Sequence, residues 1–155
     1  MNEIIVDFES TIRESEKRLR AITEEQSEIK PSFNKWSKKE ILGHLIDSAF
    51  NNTIRFVTGQ TKMNLVFPGY DQDFWIEVQK YQDRNWNQLI DLWKLANLHI
   101  HNIVKRIPAD ILKKEFKEHN LDEITWRAVE KDKPVNLEYL LLDYIGHMKH
   151  HLNQI

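Results

Sequence analysis

Apolar residues recur every three or four positions in four separate stretches of the chain, with charged residues between them. In the first stretch these positions include Ile5, Phe8, Ile12 and Leu19. Such spacing places them on one face of an α-helix, because about 3.6 residues make one turn. We expect Pro31 to close this helix, since proline lacks the N–H that a continuing helix needs.

A second helix is predicted from Ser37 to about Gly59. Ser37 followed by Glu40 has the spacing of a capping box, in which a hydroxyl and a carboxylate bond the first free N–H groups of a helix. The apolar positions that follow keep the helical period, and they are Ile41, Leu42, Leu45, Ile46, Ala49 and Phe56.

Two further helices are predicted in the second half of the chain. The third begins near Trp86 and is ended by Pro108, with an apolar stripe between them. The pattern that follows is mixed, and we expect a short helix at 111–118 and an extended segment at 124–129. Asn136 has the side chain of an N-cap, and the last helix starts after it.

Residues 60–82 connect the second helix to the third and are longer than a minimal linker. Pro68 and Gly69 are typical of a turn, and the segment DQDFWIEVQ after them allows one or two helical turns. Long loops of this kind are often functional. The aromatic side chains that we expect mainly to fill the core or the end of the bundle are Trp36, Phe74, Trp75, Trp86, Trp93 and Trp126.

Composition favours an all-α fold. Four glycines and four prolines are too few for a sandwich or barrel with many tight turns. A length of 155 residues lies within the usual size of one domain, and no repeat or low-complexity segment divides the chain. We therefore predict one domain over residues 1–155, an all-α four-helix bundle with a long loop between its second and third helices.

Charge and cysteine content exclude several classes of function. The formal net charge is -2, and lysines and arginines are spread along the chain, so neither nucleic acid nor a membrane is expected as partner. The chain has no cysteine, which excludes disulfides, thiolate metal sites and a cysteine nucleophile. The N-terminus has no basic start or long apolar run, and we expect a cytoplasmic protein.

The strongest chemical signal is HMKHH in the last helix. His147 and His151 are four residues apart, so they lie one turn apart on the same face. This is the spacing at which two imidazoles of one helix can bind one metal ion. Both lie at an edge of the apolar stripe, whereas His150 is expected to point away from that edge.

His44 is the third candidate ligand, at the margin of the apolar face of the second helix. Ser48, Asn51 and Arg55 lie on its polar side. Taken alone, a histidine in this position is more often a partly buried residue without a ligand role. Three imidazoles together would leave positions on an ion open for water or substrate, as catalytic sites require. A solvated or surface-packed position is favoured for His99, His101 and His119.

Four blocks of the sequence resemble, in the same order, the motifs of the DinB-like superfamily of metal-dependent proteins. They are KWSKKEILGHLIDSAFNNTIRF, FPGYDQDFW, RNWNQLIDLWKLAN and LLDYIGHMKHHLNQI. The superfamily includes the YfiT-type metal hydrolases, the bacillithiol transferases and the mycothiol-dependent maleylpyruvate isomerases. Four blocks in this order and spacing are specific to the family, although not to one reaction.

The resemblance implies a four-helix bundle of the up-down-down-up type, with a metal ion held by a histidine of the second helix and by the HxxxH pair of the last. In this chain these are His44, His147 and His151, the same residues that the spacing selects. Family members typically hold zinc or nickel, and one divalent ion of either kind suits three imidazoles. Many members look dimeric, so a homodimer is a further expectation.

Other polar residues are candidates for contacts around the metal or with substrate. Asp47 and Asp143 could each accept the N–H of a ligating imidazole, or they could be solvated carboxylates. Gln154 lies near the edge that carries His151 and could contact a metal-bound water or lie at the surface. Arg55 could bind an anionic substrate group or form a structural ion pair. The remaining candidates are Tyr70, Asp71 and Asn97.

Three functions are compatible with these residues. As an enzyme, the protein would use its ion to activate water for hydrolysis, or to hold the thiolate of a low-molecular-weight thiol for transfer. Because the chain has no cysteine, that thiol would be a small-molecule cosubstrate, and no protein nucleophile is assigned. The alternatives are a non-catalytic metal-binding or stress-associated module and a helical scaffold without metal.

Overall fold

The computed structural model describes residues 2–155, and its regular secondary structure is helical. The helices are α1 (Asn2–Arg20), α2 (Glu24–Glu28), α3 (Lys38–Thr58), α4 (Gln72–Gln79), a 3₁₀ turn (Tyr81–Asp83), α5 (Trp86–Val104), α6 (Ala109–Lys113), α7 (Leu121–Ile124) and α8 (Leu137–Leu152). Within these residues there is no β-strand, and two isolated bridges pair Leu65 with His119 and Phe116 with Val135. The all-α prediction is therefore confirmed.

The four long helices, α1, α3, α5 and α8, are the four that the hydrophobic pattern predicts, and their apolar faces share one core. α5 packs against both α1 and α3, while α8 packs against α3 and α1. The fully buried side chains include Phe8, Leu42, Trp93 and Leu141, one from each long helix. No helix of the described residues is long and apolar enough to cross a membrane.

Side-chain caps set the starts of α3 and α8, as predicted. Ser37 accepts a hydrogen bond from the backbone N–H of Glu40, and the Glu40 carboxylate accepts one from the N–H of Ser37 over 2.8 Å. Asn136 accepts from the N–H of Tyr139 in the same way. Such caps bond N–H groups that have no partner inside the helix, so they define where each helix begins.

Several predicted boundaries are wrong for local reasons. α1 ends at Arg20 rather than near Pro31, because Thr23 and Gln26 form a capping box that starts α2 as a separate turn. α5 ends at Val104, before Pro108. The short helix expected at 111–118 is α6, at Ala109–Lys113, and the segment expected to be extended at 124–129 overlaps the end of α7.

Two aromatic predictions fail. Phe74 and Trp126 are 58% and 48% exposed, so neither fills the core, whereas Trp86 and Trp93 do.

Two histidine predictions also fail, because His101 and His119 are buried rather than solvated. The ring of His101 lies edge-on against Phe8 at a centroid distance of 5.9 Å. Nε2 of His119 lies 2.9 Å from the carbonyl oxygen of Lys133.

The long connection between α3 and α5 is held against α3 at Gly43. The ring of Tyr81 lies so close to this glycine that an added Cβ would meet the ring at 2.2 Å. Tyr81 then donates its hydroxyl hydrogen to Oδ1 of Asp47 over 2.6 Å, one turn further along α3. A residue without a side chain at position 43 is therefore required for the loop to dock here.

Candidate metal centre

Three histidines from α3 and α8 meet at one place in the fold. Nε2 of His44 lies 3.1 Å from Nε2 of His147. The ring of His151 has its centroid 4.8 Å from that of His44 and 4.6 Å from that of His147. One ring nitrogen from each of the three lies within 4.8 Å of the other two. The structure thus brings together the three residues that the sequence selects.

The environment keeps these imidazoles neutral near pH 7. Burial lowers the pKa of His44 to about 4, with a further contribution from His151. Burial lowers the pKa of His147 to about 3, and the neighbouring His44 and His151 add to the effect. Burial also lowers the pKa of His151. A neutral imidazole has a lone pair to give to a metal, so the chemistry of this donor set fits a divalent ion.

The second ring nitrogens differ in what holds them. Nδ1 of His151 lies 3.3 Å from Oε1 of Gln154, which leaves Nε2 of that ring free to face the other two histidines. Nδ1 of His44 is buried and has no hydrogen-bond partner within residues 2–155. The ring of His44 is instead packed against Trp36, at a centroid distance of 5.2 Å.

A cavity of about 460 Å³ opens beside the three histidines, within the usual range for small-molecule sites. Residues of α3 and α8 line it, together with the chain around Gly69 and around Thr125. Its lining residues beyond the three histidines include Ser48, Asn52, Arg55, Tyr70, Glu123, Trp126, Asp143, Tyr144 and His150.

Arg55 and Tyr70, both candidates from the sequence, line this cavity. Arg55 is 6% exposed, and its Nη2 donates to the carbonyl oxygen of Pro68 over 3.4 Å. Burial raises the pKa of Tyr70 to about 12, so its hydroxyl keeps its proton at neutral pH. The Tyr70 ring is tilted against Trp75, with 4.7 Å between centroids.

Other candidates have their polar groups engaged elsewhere. Asp71 caps α4, accepting from the N–H groups of Asp73 and Phe74, and does not line the cavity. Asn97 is fully buried and accepts a hydrogen bond from the hydroxyl of Tyr144 over 2.5 Å, so it positions a lining residue without facing the cavity.

Asp47 and Asp143, which could either orient histidines or be solvated, make other hydrogen bonds in the fold. Asp47 accepts from Tyr81 and from Gln79, and its other oxygen has no partner within residues 2–155. Asp143 lines the cavity, but its carboxylate accepts from the backbone N–H groups of Trp126 and Arg127. Both carboxylates thus hold connecting segments in place.

Sequence reasoning misses Asn52, Tyr144 and His150 as lining residues. His150 lies at the rim rather than away from it, with its ring against Trp126 and its Nε2 2.9 Å from Nε2 of Gln154. A signal for Asn52 exists: positions 44, 48, 52 and 55 are all polar, and steps of four, four and three keep them on one face of α3.

Fold and site together define a class of protein: a four-helix bundle in which two long helices bring three histidines to the wall of a cavity. The family model of the DinB superfamily matches residues 7–155, and the chain belongs to this superfamily. No curated protein matches the sequence.

Among solved structures, the chain is similar to YfiT from Bacillus subtilis, described as a probable metal-dependent hydrolase with an unusual four-helix bundle topology. The TM-score is 0.80 at 19% sequence identity, and the match covers 99% of this chain and 82% of YfiT. At this identity the likeness establishes the shared fold.

Proposed function

We propose that this protein is a metal-dependent enzyme in which His44, His147 and His151 hold one divalent ion, zinc or nickel, at the wall of the cavity. The observation that carries the proposal is the convergence of three neutral nitrogen donors, within 4.8 Å of one another, beside about 460 Å³ of space. The description of YfiT as a probable metal-dependent hydrolase adds support.

The number of donors favours catalysis over a purely structural ion. Structural zinc sites are usually closed by four protein ligands, whereas catalytic sites have three and an open position. Within residues 2–155, the cluster contains three histidines and no fourth histidine or carboxylate. Bound there, the ion would supply Lewis-acid activation of water, or of a thiol from a small cosubstrate.

The chain's own residues would hold and orient the substrate. Tyr70 brings a hydroxyl group to the cavity, and this group keeps its proton at neutral pH because burial raises the pKa of Tyr70 to about 12. Tyr144 also lines the cavity, but its hydroxyl hydrogen is donated to a buried side-chain amide. Gln154 fixes the ring of His151 through Nδ1. Trp126 adds an aromatic ring to the cavity wall.

The alternative function is a non-catalytic module in which the ion joins α3 to α8. It would explain the histidines but not the open cavity beside them. The two functions differ in whether an added thiol reaches the ion. A cobalt-substituted sample should change its visible absorption on addition of a small thiol if the ion is accessible, and should keep its spectrum if the site is closed.

The test of the enzyme proposal is a screen with zinc- and nickel-loaded protein, against ester and amide substrates and against electrophiles with small thiols. Activity should require metal and be lost in His44→Ala, while the rim variant His150→Ala keeps its metal. A metal content below about half an ion per chain, after incubation with zinc or nickel, would reject the proposal. Equal turnover by wild type and His44→Ala would reject it as well.

A further inference from the structure

Arg55 is a buried cation that interacts with the Asp143 carboxyl group only at a distance, without an ion pair. Its side chain lines the cavity, yet Arg55 is only 6% exposed. Within residues 2–155, its guanidinium forms no ion pair, and its hydrogen bond to the carbonyl oxygen of Pro68 is long, at 3.4 Å. A guanidinium carries five N–H donors, so most of its hydrogen-bonding capacity remains for groups inside the cavity.

Leaving such a charge unpaired is energetically unfavourable. A buried cation loses the solvation of water, and that loss is offset only by an opposite charge or several hydrogen bonds. The protein nevertheless places Arg55 on the same face of α3 as His44, where the cavity lies between them. A ligand that brings a negative charge would remove this cost.

The polar residues between His44 and Arg55 fit an extended ligand. The backbone positions of His44 and Arg55 are about 16 Å apart along the helix axis. Side chains on a helix lean towards its N-terminus, and the longer arginine side chain extends further in that direction than the histidine ring. Between them, Asn52 donates to the carbonyl oxygen of Ser48, while its own Oδ1 is buried and has no partner within residues 2–155. This acceptor can take a hydrogen bond from a donor group, such as a hydroxyl, on the part of a ligand that lies between its two ends.

We propose that the substrate of this cavity is an organic carboxylate, whose carboxylate group binds Arg55 while its reacting end lies at the three histidines. The inference rests on the proposed function and extends it, because it assigns a substrate group to the end of the cavity that lies away from the three histidines. A guanidinium matches a planar carboxylate with two parallel hydrogen bonds.

The charge of the cavity wall favours a carboxylate over a phosphate. Among the described residues that line the cavity, Arg55 is the only lysine or arginine, and Glu123 and Asp143 add carboxyl groups of their own. Apart from the ion at the histidines, a dianionic phosphate would meet one cation and two acidic groups, whereas a single negative charge is neutralised by Arg55 alone.

Calorimetric titration with three probes of equal chain length tests this inference: hexanoate, hexanol and hexylphosphonate. Each is titrated into metal-free and zinc-loaded protein, for the wild type, Arg55→Gln and Arg55→Lys. Arg106→Gln is the matched control, because Arg106 is exposed and its guanidinium bonds Asn102, away from the cavity.

Hexanoate should bind the wild type and Arg106→Gln equally, and bind Arg55→Gln about 10- to 100-fold more weakly, as expected for the loss of a charged hydrogen-bonded pair. Arg55→Lys should bind hexanoate more tightly than Arg55→Gln and more weakly than the wild type. Lysine keeps the positive charge but cannot donate two parallel hydrogen bonds to a carboxylate. If circular dichroism shows that Arg55→Gln does not fold, Arg55→Lys carries the comparison.

Three results would overturn the inference: no binding of hexanoate, equal binding by the Arg55 variants and the wild type, or tighter binding of hexylphosphonate or hexanol. The metal-free titrations separate this inference from the enzyme proposal. Protein that binds no zinc but binds hexanoate through Arg55 would reject the metal site and keep the carboxylate site, and zinc binding without hexanoate binding would do the reverse.

Discussion

Nε2 of His44 faces Nε2 of His147 over 3.1 Å, although 103 residues separate them in the sequence. Two neutral imidazoles at this distance can share one hydrogen bond, with one ring donating and the other accepting. A third ring, His151, within 5 Å of both adds nothing to such a bond. Three converging nitrogen atoms are instead the arrangement that a cation needs, which makes metal binding the first property to test.

His147→Ala should lower the affinity for zinc by more than about 100-fold, because loss of a ligand costs more than loss of a group that only orients one. His150→Ala should change it by less than about 3-fold, since His150 is outside the three-donor cluster. The measurement is competition with a chromophoric chelator, with circular dichroism to check that both variants keep their helices. Similar losses in the two variants would contradict the assignment of ligands.

The sequence predicts well which faces of α3 and α8 carry the histidines, and it predicts poorly which residues surround them. Helical periodicity alone places His147 and His151 on one face, and caps at Ser37 and Asn136 locate the helices. Whether His44 faces these two histidines depends on how α3 packs against α8, which no local sequence pattern encodes. The resemblance to the family supports this orientation of His44.

Two acidic candidates use their carboxylates to hold backbone. Asp143 looks like a site residue because carboxylates commonly accompany metal-binding histidines, and Asp71 because it lies in a block that resembles the family motif. In the fold, both bond backbone N–H groups, at the start of α4 and in the segment before α8. An aspartate side chain accepts hydrogen bonds from backbone N–H groups that lie near it as readily as from a histidine ring. The spacing of residues in the sequence therefore does not distinguish the two roles.

Gln154 should influence metal affinity through His151. Its Oε1 lies 3.3 Å from Nδ1 of that ring and holds the ring's other nitrogen towards the cluster. We expect Gln154→Ala to weaken zinc binding by about 10-fold, at the lower end of the range for such orienting groups, because Gln154 is exposed. The exposed neighbour Asn153→Ala is the control in the same competition assay, and an equal loss there would point to fraying of the helix end instead.

The contribution of Asp47 to the free energy of unfolding should depend on pH. Burial raises its pKa, against the opposing effect of hydrogen bonds from Tyr81 and Gln79. The folded state therefore holds a proton on Asp47 more tightly than the unfolded state, so ionised Asp47 destabilises the fold, and this cost is relieved as pH falls through the raised pKa. Asp47→Asn can still accept both hydrogen bonds without the charge.

The free energy of unfolding of Asp47→Asn, minus that of the wild type, should be most positive at pH 7 and should decrease steadily towards pH 4. Urea unfolding of metal-free protein at several pH values measures it. Subtracting the wild type removes the titration of the histidines, which is common to both proteins. A difference that is constant with pH, or that grows as the pH falls, would show that Asp47 is not a desolvated carboxylate.

Gly43→Ala should destabilise the protein even though alanine is the better helix former. The substitution would gain about 1 kcal/mol of helix propensity in α3. The new Cβ would meet Tyr81 Cδ2 at 2.2 Å, so the ring would have to move. Overpacking of this kind costs about 1–3 kcal/mol, and loss of the Tyr81–Asp47 hydrogen bond adds about 1–2 kcal/mol. The steric cost exceeds the gain in helix propensity, and we expect a net loss of about 1–4 kcal/mol.

The matched control is Gly69→Ala, whose Cβ would lie 3.5 Å from Ile124, an ordinary contact, and which should be nearly neutral in urea unfolding. A second experiment tests whether the Tyr81 ring causes the destabilisation by Gly43→Ala. If Tyr81 is first replaced by leucine, which removes the ring, Gly43→Ala should no longer destabilise and should approach the gain expected from helix propensity alone. An unchanged penalty in that background would mean that the intolerance at position 43 comes from α3 itself, and that the long connection does not depend on this glycine to dock.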